Sequence, residues 1–168
     1  PNQLFENSEL LQASKKVMLI EEYLFFKHFN FHKQKILFHR MSMKSYERFL
    51  KAQYNTEYIN STQTESDVRI LIKNMSDDIQ KINIYDPNDN WLHKRIKSAC
   101  SKKNIELAIF NNPLFMLEKA DLNPFFRTDK KKFFQTAFYK NQRQQMNLLI
   151  QNGSPEGGEW TYDKYNRE

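Results

Sequence analysis

Four short runs of β-type residues alternate with helical patterns, and this alternation constrains the fold more than any other feature of the chain. The runs are rich in valine, isoleucine or aromatic residues and lie at residues 16–21, 56–60, 81–86 and 105–110. Between the first two runs, Met43, Tyr46 and Leu50 recur at helical spacing. Such alternation is typical of βαβ units on a parallel sheet with right-handed crossovers. The sequence therefore predicts a Rossmann-like, three-layer α/β domain.

Further helices follow from the spacing of apolar residues. Residues 68–75 carry apolar side chains at i, i+3, i+4 and i+7. Residues 92–100 show a similar pattern behind Asn90, which is a candidate N-cap. A long basic helix is predicted at residues 131–150, after a segment that contains two prolines.

The start of the chain is typical of the region that follows a strand. The letters PNQLF suit a loop after a strand, and SELLQAS suits the helix after such a loop. We therefore expect a first strand upstream of Pro1, truncated or missing from this sequence. With that strand the sheet would have five strands.

Glycine is absent from the first 152 residues, and all three glycines (Gly153, Gly157 and Gly158) lie near the end of the sequence. Dinucleotide sites with a glycine-rich turn, and P-loops, need glycine where the backbone approaches a phosphate. Both kinds of site are therefore excluded from the α/β region. The glycines and Pro155 instead predict a backbone path that breaks the preceding helix.

The positive charge is concentrated in one segment. The chain carries 26 basic and 20 acidic residues, a net charge of +6. From Arg127 to Arg143 there are six basic residues against one acid, Asp129. A local basic face favours contact with a polyanion such as nucleic acid, although a solvated face can carry the same charge.

Cysteine usage and hydropathy indicate the compartment. Cys100 is the single cysteine, so no internal disulfide and no multi-cysteine metal site can form. No apolar run reaches the roughly 20 residues of a membrane helix. The first residues lack the features of a signal peptide. We therefore expect a cytoplasmic protein with no membrane partner.

Few residues suggest catalysis or metal binding. His28 and His32 are four residues apart but supply only half of a typical zinc site, so no metal is predicted. A phosphoreceiver would use an acidic strand end such as Asp86, together with a lysine after its last strand. Asn111 and Asn112 stand there instead, so the phosphoreceiver hypothesis lacks its cation.

Ligands of open α/β sheets bind beyond the carboxyl ends of the strands. Amide, carboxylate, phenol and indole groups follow the predicted strand ends in this sequence. The candidate binding residues are Asn2, Gln3, Glu21, Tyr23, His32, Lys35, Tyr85 and Trp91. Together they suit a flat aromatic ligand with polar edges.

The end of the sequence, GGEWTYDKYNR, resembles a signature of the deoxyribodipyrimidine photolyase-related family, the prokaryotic iron–sulfur cryptochromes and photolyases. The matching residues are Gly157, Gly158, Trp160, Tyr162, Asp163, Asn166 and Arg167. Weaker similarities occur in the family's order at residues 2–4 (NQL), 32–35 (HKQK) and 138–143 (FYKNQR). The resemblance thus extends over the whole chain. Departures from the residues that the family prefers are Pro1, Lys140, Thr161 and Tyr165.

The resemblance implies the fold of the family's N-terminal antenna domain, with a five-stranded parallel sheet in the order 3-2-1-4-5. It assigns residues 1–150 to that domain and 151–168 to the start of an interdomain linker. FAD, an iron–sulfur cluster and the DNA lesion site would belong to a C-terminal helical domain beyond this sequence. A ribityllumazine chromophore would sit at the strand ends of the antenna domain and pass excitation energy to FAD.

For the whole flavoprotein, the resemblance implies light-driven DNA repair or light sensing, with no catalysis by this domain alone. Residues facing DNA or the helical domain would be Lys131, Lys132, Tyr139, Lys140 and Arg143. The linker motif would comprise Gly157, Gly158, Trp160, Asp163, Asn166 and Arg167. Two alternatives stay open: an α/β interaction module that binds nucleic acid or protein through residues 127–143, and the phosphoreceiver.

Overall fold

Parallel strand pairs form at the predicted runs of β-type residues. In a computed structural model that describes residues 8–163, the strands of these pairs are β1 (Val17–Ile20), β2 (Thr56–Ile59), β3 (Lys81–Tyr85) and β4 (Glu106–Phe110). β1 pairs with β2, and β3 pairs with β4. Ile20 lies opposite Ile59 and Tyr85 opposite Phe110, so the carboxyl ends coincide within each pair. The predicted mixed α/β class is confirmed.

One helix precedes β1, and the others lie in the segments between the strands. They are α1 (Glu9–Gln12), α2 (Tyr23–Phe26), α3 (Lys33–Lys51), α4 (Val68–Asn74) and α5 (Asn90–Lys103). The N-cap of α5 was predicted one residue too late: the side chain of Asp89, not that of Asn90, accepts a hydrogen bond from the backbone N–H of Leu92 at 2.7 Å. Aspartate and asparagine cap helices about equally well, so their order in the sequence did not decide between them.

The predicted single five-stranded sheet is not present among residues 8–163. The two parallel pairs are separate sheets, because no ladder of hydrogen bonds joins β1 to β3. β3 is held to the α1 region instead, where the Asn83 side-chain amide donates to Ala13 O and Ser14 Oγ, both at 3.2 Å. The Tyr85 hydroxyl also bonds to Ser8 Oγ.

Two clusters of buried apolar side chains support these elements. The cluster that joins α4 to α5 comprises Val68, Ile72, Ile96, Cys100 and Ile105. The cluster that joins α1, β1 and α3 comprises Leu11, Val17 and Leu50. Cys100 is fully enclosed, and this burial raises the pKa of its thiol, consistent with its predicted place in the core. Each such side chain contributes roughly 1.5–3 kcal/mol by burial.

The chain divides into two compact units between Met116 and Leu117. The second unit contains α6 (Lys119–Leu122), α7 (Gln135–Gln145) and an antiparallel pair of two-residue strands, β5 (Ile150–Gln151) and β6 (Ser154–Pro155). The domain boundary predicted after residue 150 falls inside this unit. No helix among the described residues is long and apolar enough to cross a bilayer.

The long basic helix predicted at residues 131–150 is shorter at both ends. It begins at Gln135 and ends at Gln145, and residues 150–151 form β5 instead. Beyond the helix, Asn147 and Leu149 adopt φ angles of +52° and +51°. A right-handed helix cannot continue through that backbone region, so the chain turns back toward α7.

Candidate functional site

Aromatic side chains that follow β1 and β3 come together in one cluster. The centroid of the His28 ring lies 5.8 Å from that of Tyr23, 4.4 Å from that of Phe29 and 6.5 Å from that of Trp91. We call Tyr23, His28, Phe29 and Trp91 the aromatic rim. Phe29 and Trp91 are each 61% exposed, so flat apolar surface is open to a ligand. Two predicted site residues, Tyr23 and Trp91, thus lie together, and His28 connects them.

The start of α3 extends the aromatic rim. The Phe31 ring lies 6.0 Å from the Phe29 ring, and Lys35 Nζ lies 4.6 Å from the centroid of Phe31. His32 caps α3, because its Nδ1 accepts a hydrogen bond from the backbone N–H of Gln34 at 3.3 Å. Lys35 therefore contributes a cation at the edge of the rim, whereas the His32 side chain serves as the N-cap of α3.

Glu22 places a buried carboxyl group directly before Tyr23. One oxygen accepts the backbone N–H of Leu24 and caps α2. The other oxygen, Oε1, is buried, and the backbone N–H of Val68, at the start of α4, also lowers the pKa of this carboxyl group. Burial raises the pKa of Glu22, although hydrogen bonding and the charge of Arg95 act in the opposite direction. The Glu22 carboxyl group is thus buried with the starts of α2 and α4, one residue before Tyr23 of the rim.

Glu21, the preceding carboxylate, is 0% exposed and fully bonded. Arg40 donates to both of its oxygens at 2.6 Å, the Tyr58 hydroxyl donates at 2.6 Å, and the backbone N–H of Ser61 donates at 2.8 Å. We call these four residues the Glu21 latch. Burial alone raises the pKa of Glu21, but the four hydrogen bonds outweigh burial and bring the pKa to about 2. The latch fastens α3 to the carboxyl ends of β1 and β2, so Glu21 serves the fold beneath the rim.

The remaining predicted rim residues lie apart from the aromatic rim or outside the described range. The hydroxyl of Tyr85 is bonded to Ser8. Asn112, which follows β4, donates to the backbone oxygen of Asp86 at 2.9 Å and ties together the loops after β3 and β4. An amide therefore occupies the place where a phosphoreceiver has lysine. Asn2 and Gln3 lie outside the described residues.

The residues predicted to face DNA or the helical domain differ in their exposure to solvent. Lys131, Lys132 and Tyr139 are exposed, and Lys140 is half-buried. Arg143 is only 6% exposed. Its guanidinium donates to four backbone carbonyls at 2.6–3.3 Å, those of Leu148, Leu149, Glu159 and Trp160. The guanidinium of Arg143 is thus already hydrogen-bonded to the backbone of the second unit.

Comparison with known proteins decides the family. The family model described as deoxyribodipyrimidine photo-lyase-related protein matches residues 1–168. This chain belongs to the deoxyribodipyrimidine photolyase-related family. A relative from Acanthamoeba polyphaga mimivirus, "Uncharacterized protein R852", is 32% identical over 180 residues, which cover 100% of this chain and 91% of that protein. The family prediction from the terminal motif is confirmed.

Two sequence blocks that resemble the photolyase-related family meet in the second unit. Arg143, from the FYKNQR block, donates to Trp160 O of the GGEW block at 2.8 Å, and its guanidinium lies 5.6 Å from the Trp160 ring centroid. Tyr162 closes the motif by donating from its hydroxyl to Gly157 O at 2.7 Å. Asp163 ends the described range, and Asn166 and Arg167 lie outside it.

Substitution of Gly157 by alanine is expected to destabilise the second unit by about 2 kcal/mol. Gly157 has a φ of +80°, and an added Cβ would lie 2.5 Å from the Tyr162 hydroxyl, which must then move off Gly157 O. Gly158→Ala is the matched control, because it has a φ of +82° with nothing within 4 Å of the added Cβ. We expect about 1 kcal/mol for this control, measured by urea unfolding. Equal losses in the two variants would contradict a role for the Tyr162 contact.

His28 was missing from the residues that the sequence predicted for the site, whereas Glu22 lay within the predicted segment from Glu21 to Tyr23. His28 lies in KHFNFHKQK, and the density of aromatic residues in that stretch was the available signal. Glu22 adjoins Glu21, and the sequence does not show which of two neighbouring carboxylates is fully bonded. Within residues 8–163, no group of three or more histidine, cysteine, aspartate or glutamate side chains could hold a metal ion.

Proposed function

We propose that this chain is the antenna-side domain of a photolyase- or cryptochrome-like flavoprotein, and that the aromatic rim binds a ribityllumazine chromophore. The observation that carries the proposal is the contact of His28 with both Tyr23 and Trp91, which makes one exposed aromatic surface from residues that follow two different strands. Family membership supports the flavoprotein assignment. The whole protein would act in light-driven DNA repair or in light sensing.

The residues at the rim suit the chemistry of a lumazine. Such a chromophore is a flat heteroaromatic ring with polar edges and a polyol chain. The exposed faces of Trp91 and Phe29 offer stacking surface, which contributes about 1–3 kcal/mol per ring in comparable complexes. Burial raises the pKa of the Glu22 carboxyl group, which directly precedes Tyr23 of the rim. When bound, the pigment would supply light absorption, and the protein would orient it.

The two parallel strand pairs fit the outer strands of the family's sheet. In the order 3-2-1-4-5, β2 and β1 would be strands 3 and 2, while β3 and β4 would be strands 4 and 5. The central strand would then come from outside residues 8–163 and would pair with β1 and β3. Ile20 of β1 packs against the same apolar cluster as Ile82 and Ile84 of β3. This shared packing supports the arrangement, because it keeps β1 and β3 near each other.

Partners follow from the same proposal. FAD and an iron–sulfur cluster would reside in a C-terminal helical domain of the complete flavoprotein, in the cytoplasm. Lys131, Lys132, Tyr139 and Lys140 would face that domain or DNA, since three of them are exposed and one is half-buried. An interaction module without a chromophore is the second candidate, favoured by the exposed lysines at 131 and 132.

The test is a fluorescence-monitored titration of the 168-residue chain with ribityllumazine, with FAD as a comparison ligand. We expect saturable lumazine binding and no FAD binding. Trp91→Ala is expected to weaken lumazine binding by about 10-fold or more, because it removes the largest exposed ring of the rim.

Phe38→Ala is the matched control, since Phe38 is an exposed ring on α3 of the same unit, outside the aromatic rim. This control should bind lumazine as the parent chain does. Absence of binding by a chain with an intact circular dichroism spectrum would refute the chromophore site. Equal weakening by the Trp91 and Phe38 variants would move the site away from the rim.

A further inference from the structure

A groove between α4 and α5 concentrates positive charge outside the aromatic rim and outside residues 127–143. The groove has a volume of about 670 Å³. Of the nine described residues that line it, six are basic and none is acidic. The basic residues are Arg69, Lys73, Lys94, Arg95, Lys102 and Lys103. We call this feature the α4–α5 groove.

Two of the six cations are already paired. Arg69 forms an ion pair with Asp67 at 2.5 Å, and Lys103 pairs with Asp77 at 3.1 Å. Among the described residues, no ion pair within 4 Å involves the side chains of the other four, Lys73, Lys94, Arg95 and Lys102. The groove therefore keeps charge that a ligand can neutralise.

Arg95 has hydrogen-bonding capacity that the fold does not use. Its Nη1 atom is buried and has no hydrogen-bond partner within the part of the chain that the structure describes. This atom is closed to solvent, and the charge of Arg95 acts on the carboxylates of Glu22 and Asp67, so the exposed lysines of the groove would make the contacts with an anion.

The spacing of the free cations suits a chain of phosphates. Lys94 and Lys102 are eight residues apart on α5, which separates them by about 12 Å along the helix axis. Lys73 lies on α4, across the groove. A single small anion would meet only part of this charge, whereas a polymer of phosphates can follow it.

The shape and lining of the groove favour nucleic acid over a membrane. The groove is concave, and its apolar residues Ile70 and Ala99 are half-buried, so it presents no protruding apolar side chain to a bilayer. No aromatic ring lines it for stacking with bases. We propose that the α4–α5 groove binds the phosphate backbone of nucleic acid without reading base sequence.

The test compares two double variants with the same change in charge. Lys94→Glu with Lys102→Glu alters the groove, and Lys15→Glu with Lys33→Glu, called the surface variant, alters two exposed lysines of the same unit outside the groove. Binding of a fluorescent 20-base-pair duplex is measured by anisotropy at several salt concentrations. We expect the groove variant to bind at least 10-fold more weakly, with the slope of log affinity against log salt reduced by about 2. The surface variant should stay within about 3-fold of the parent chain.

Two further measurements keep the outcome decisive. All four lysines are exposed, and thermal unfolding of both variants checks that the fold survives. Vesicles containing phosphatidylserine, and polyglutamate as a competitor, test other polyanions. The proposal is overturned if the groove variant binds DNA no more weakly than the surface variant does. It is also overturned if vesicles bind and DNA does not, or if polyglutamate competes as well as DNA. A lumazine titration of the groove variant is expected to match the parent chain, which separates this proposal from the chromophore site.

Discussion

Substitution of Arg40 by methionine is expected to lower the free energy of unfolding of the first unit by about 3 kcal/mol. Arg40 donates to both oxygens of Glu21, which is 0% exposed. Methionine keeps most of the apolar length of the side chain but leaves a buried carboxylate with only the Tyr58 and Ser61 donors. Loss of one partner from a buried ion pair is among the largest effects of a single substitution. Urea unfolding at pH 7 measures it.

The pH dependence of this loss identifies Glu21 as its origin. The pKa of Glu21 in the folded chain, about 2, lies below its ordinary value of 4.5. The latch therefore stabilises the fold fully above about pH 4.5, and this stabilisation is lost as the pH falls toward 2. A shift of this size corresponds to about 3 kcal/mol. We expect the difference between the parent chain and the Arg40 variant to be constant near neutral pH and to shrink below pH 4.5.

Arg48→Met is the matched control for Arg40→Met. Arg48 lies on the same helix, α3, and its side chain is exposed. The control should change the free energy of unfolding by less than about 0.5 kcal/mol at every pH. A similar loss in both variants, or a loss at Arg40 that does not depend on pH, would show that the ion pair with Glu21 is not what stabilises the unit.

Replacement of Arg143 by leucine is expected to reduce protection of residues 148–160 by about 100-fold in amide hydrogen exchange. The guanidinium of Arg143 donates to four carbonyls, from Leu148 to Trp160, and no other single side chain could serve them together. Leucine leaves these oxygens to water and removes the stacking with Tyr139 and Trp160. The expected change corresponds to about 3 kcal/mol of local stability.

Two other substitutions serve as comparisons for the Arg143→Leu variant. Arg127→Leu removes an arginine of the same unit that forms an exposed ion pair with Asp129 at 3.1 Å. It should leave exchange at residues 148–160 unchanged. Arg143→Lys keeps the charge but has no planar fork, so we expect an intermediate loss. Equal protection in the leucine variants at 127 and 143 would mean that the carbonyl contacts do not hold the glycine-rich segment.

The strands were predictable because their signal is local. Valine, isoleucine and aromatic residues cluster in the runs that became β1 to β4, and polar or helical segments separate them. The helices between them were predictable from apolar periodicity for the same reason. The length of α7 was not predictable from local sequence. The end of this helix depends on Arg143, whose carbonyl partners lie five to seventeen residues further along the chain.

Parts of the candidate site required contacts between residues distant in the sequence. Tyr23 and Trp91 were predicted as separate rim residues, and their proximity through His28 depends on how α2 and α5 pack in the first unit. Cations of the α4–α5 groove are spread over residues 69–103 among acidic residues, so the linear sequence shows no basic segment there. Only folding brings these cations together along one groove whose lining contains no acidic residue.

The sequence by itself determined the α/β class, the exclusion of glycine-rich phosphate loops and, through its last residues, the family. These properties depend on residue type and local spacing, which do not change when the chain folds. Only the tertiary structure decided that Glu21 is ionised in the latch, with a lowered pKa, while burial raises the pKa of Glu22. The reason is physical: the charge and bonding of a carboxylate depend on burial and on donors such as Arg40, nineteen residues away, and neither exists before the chain has folded.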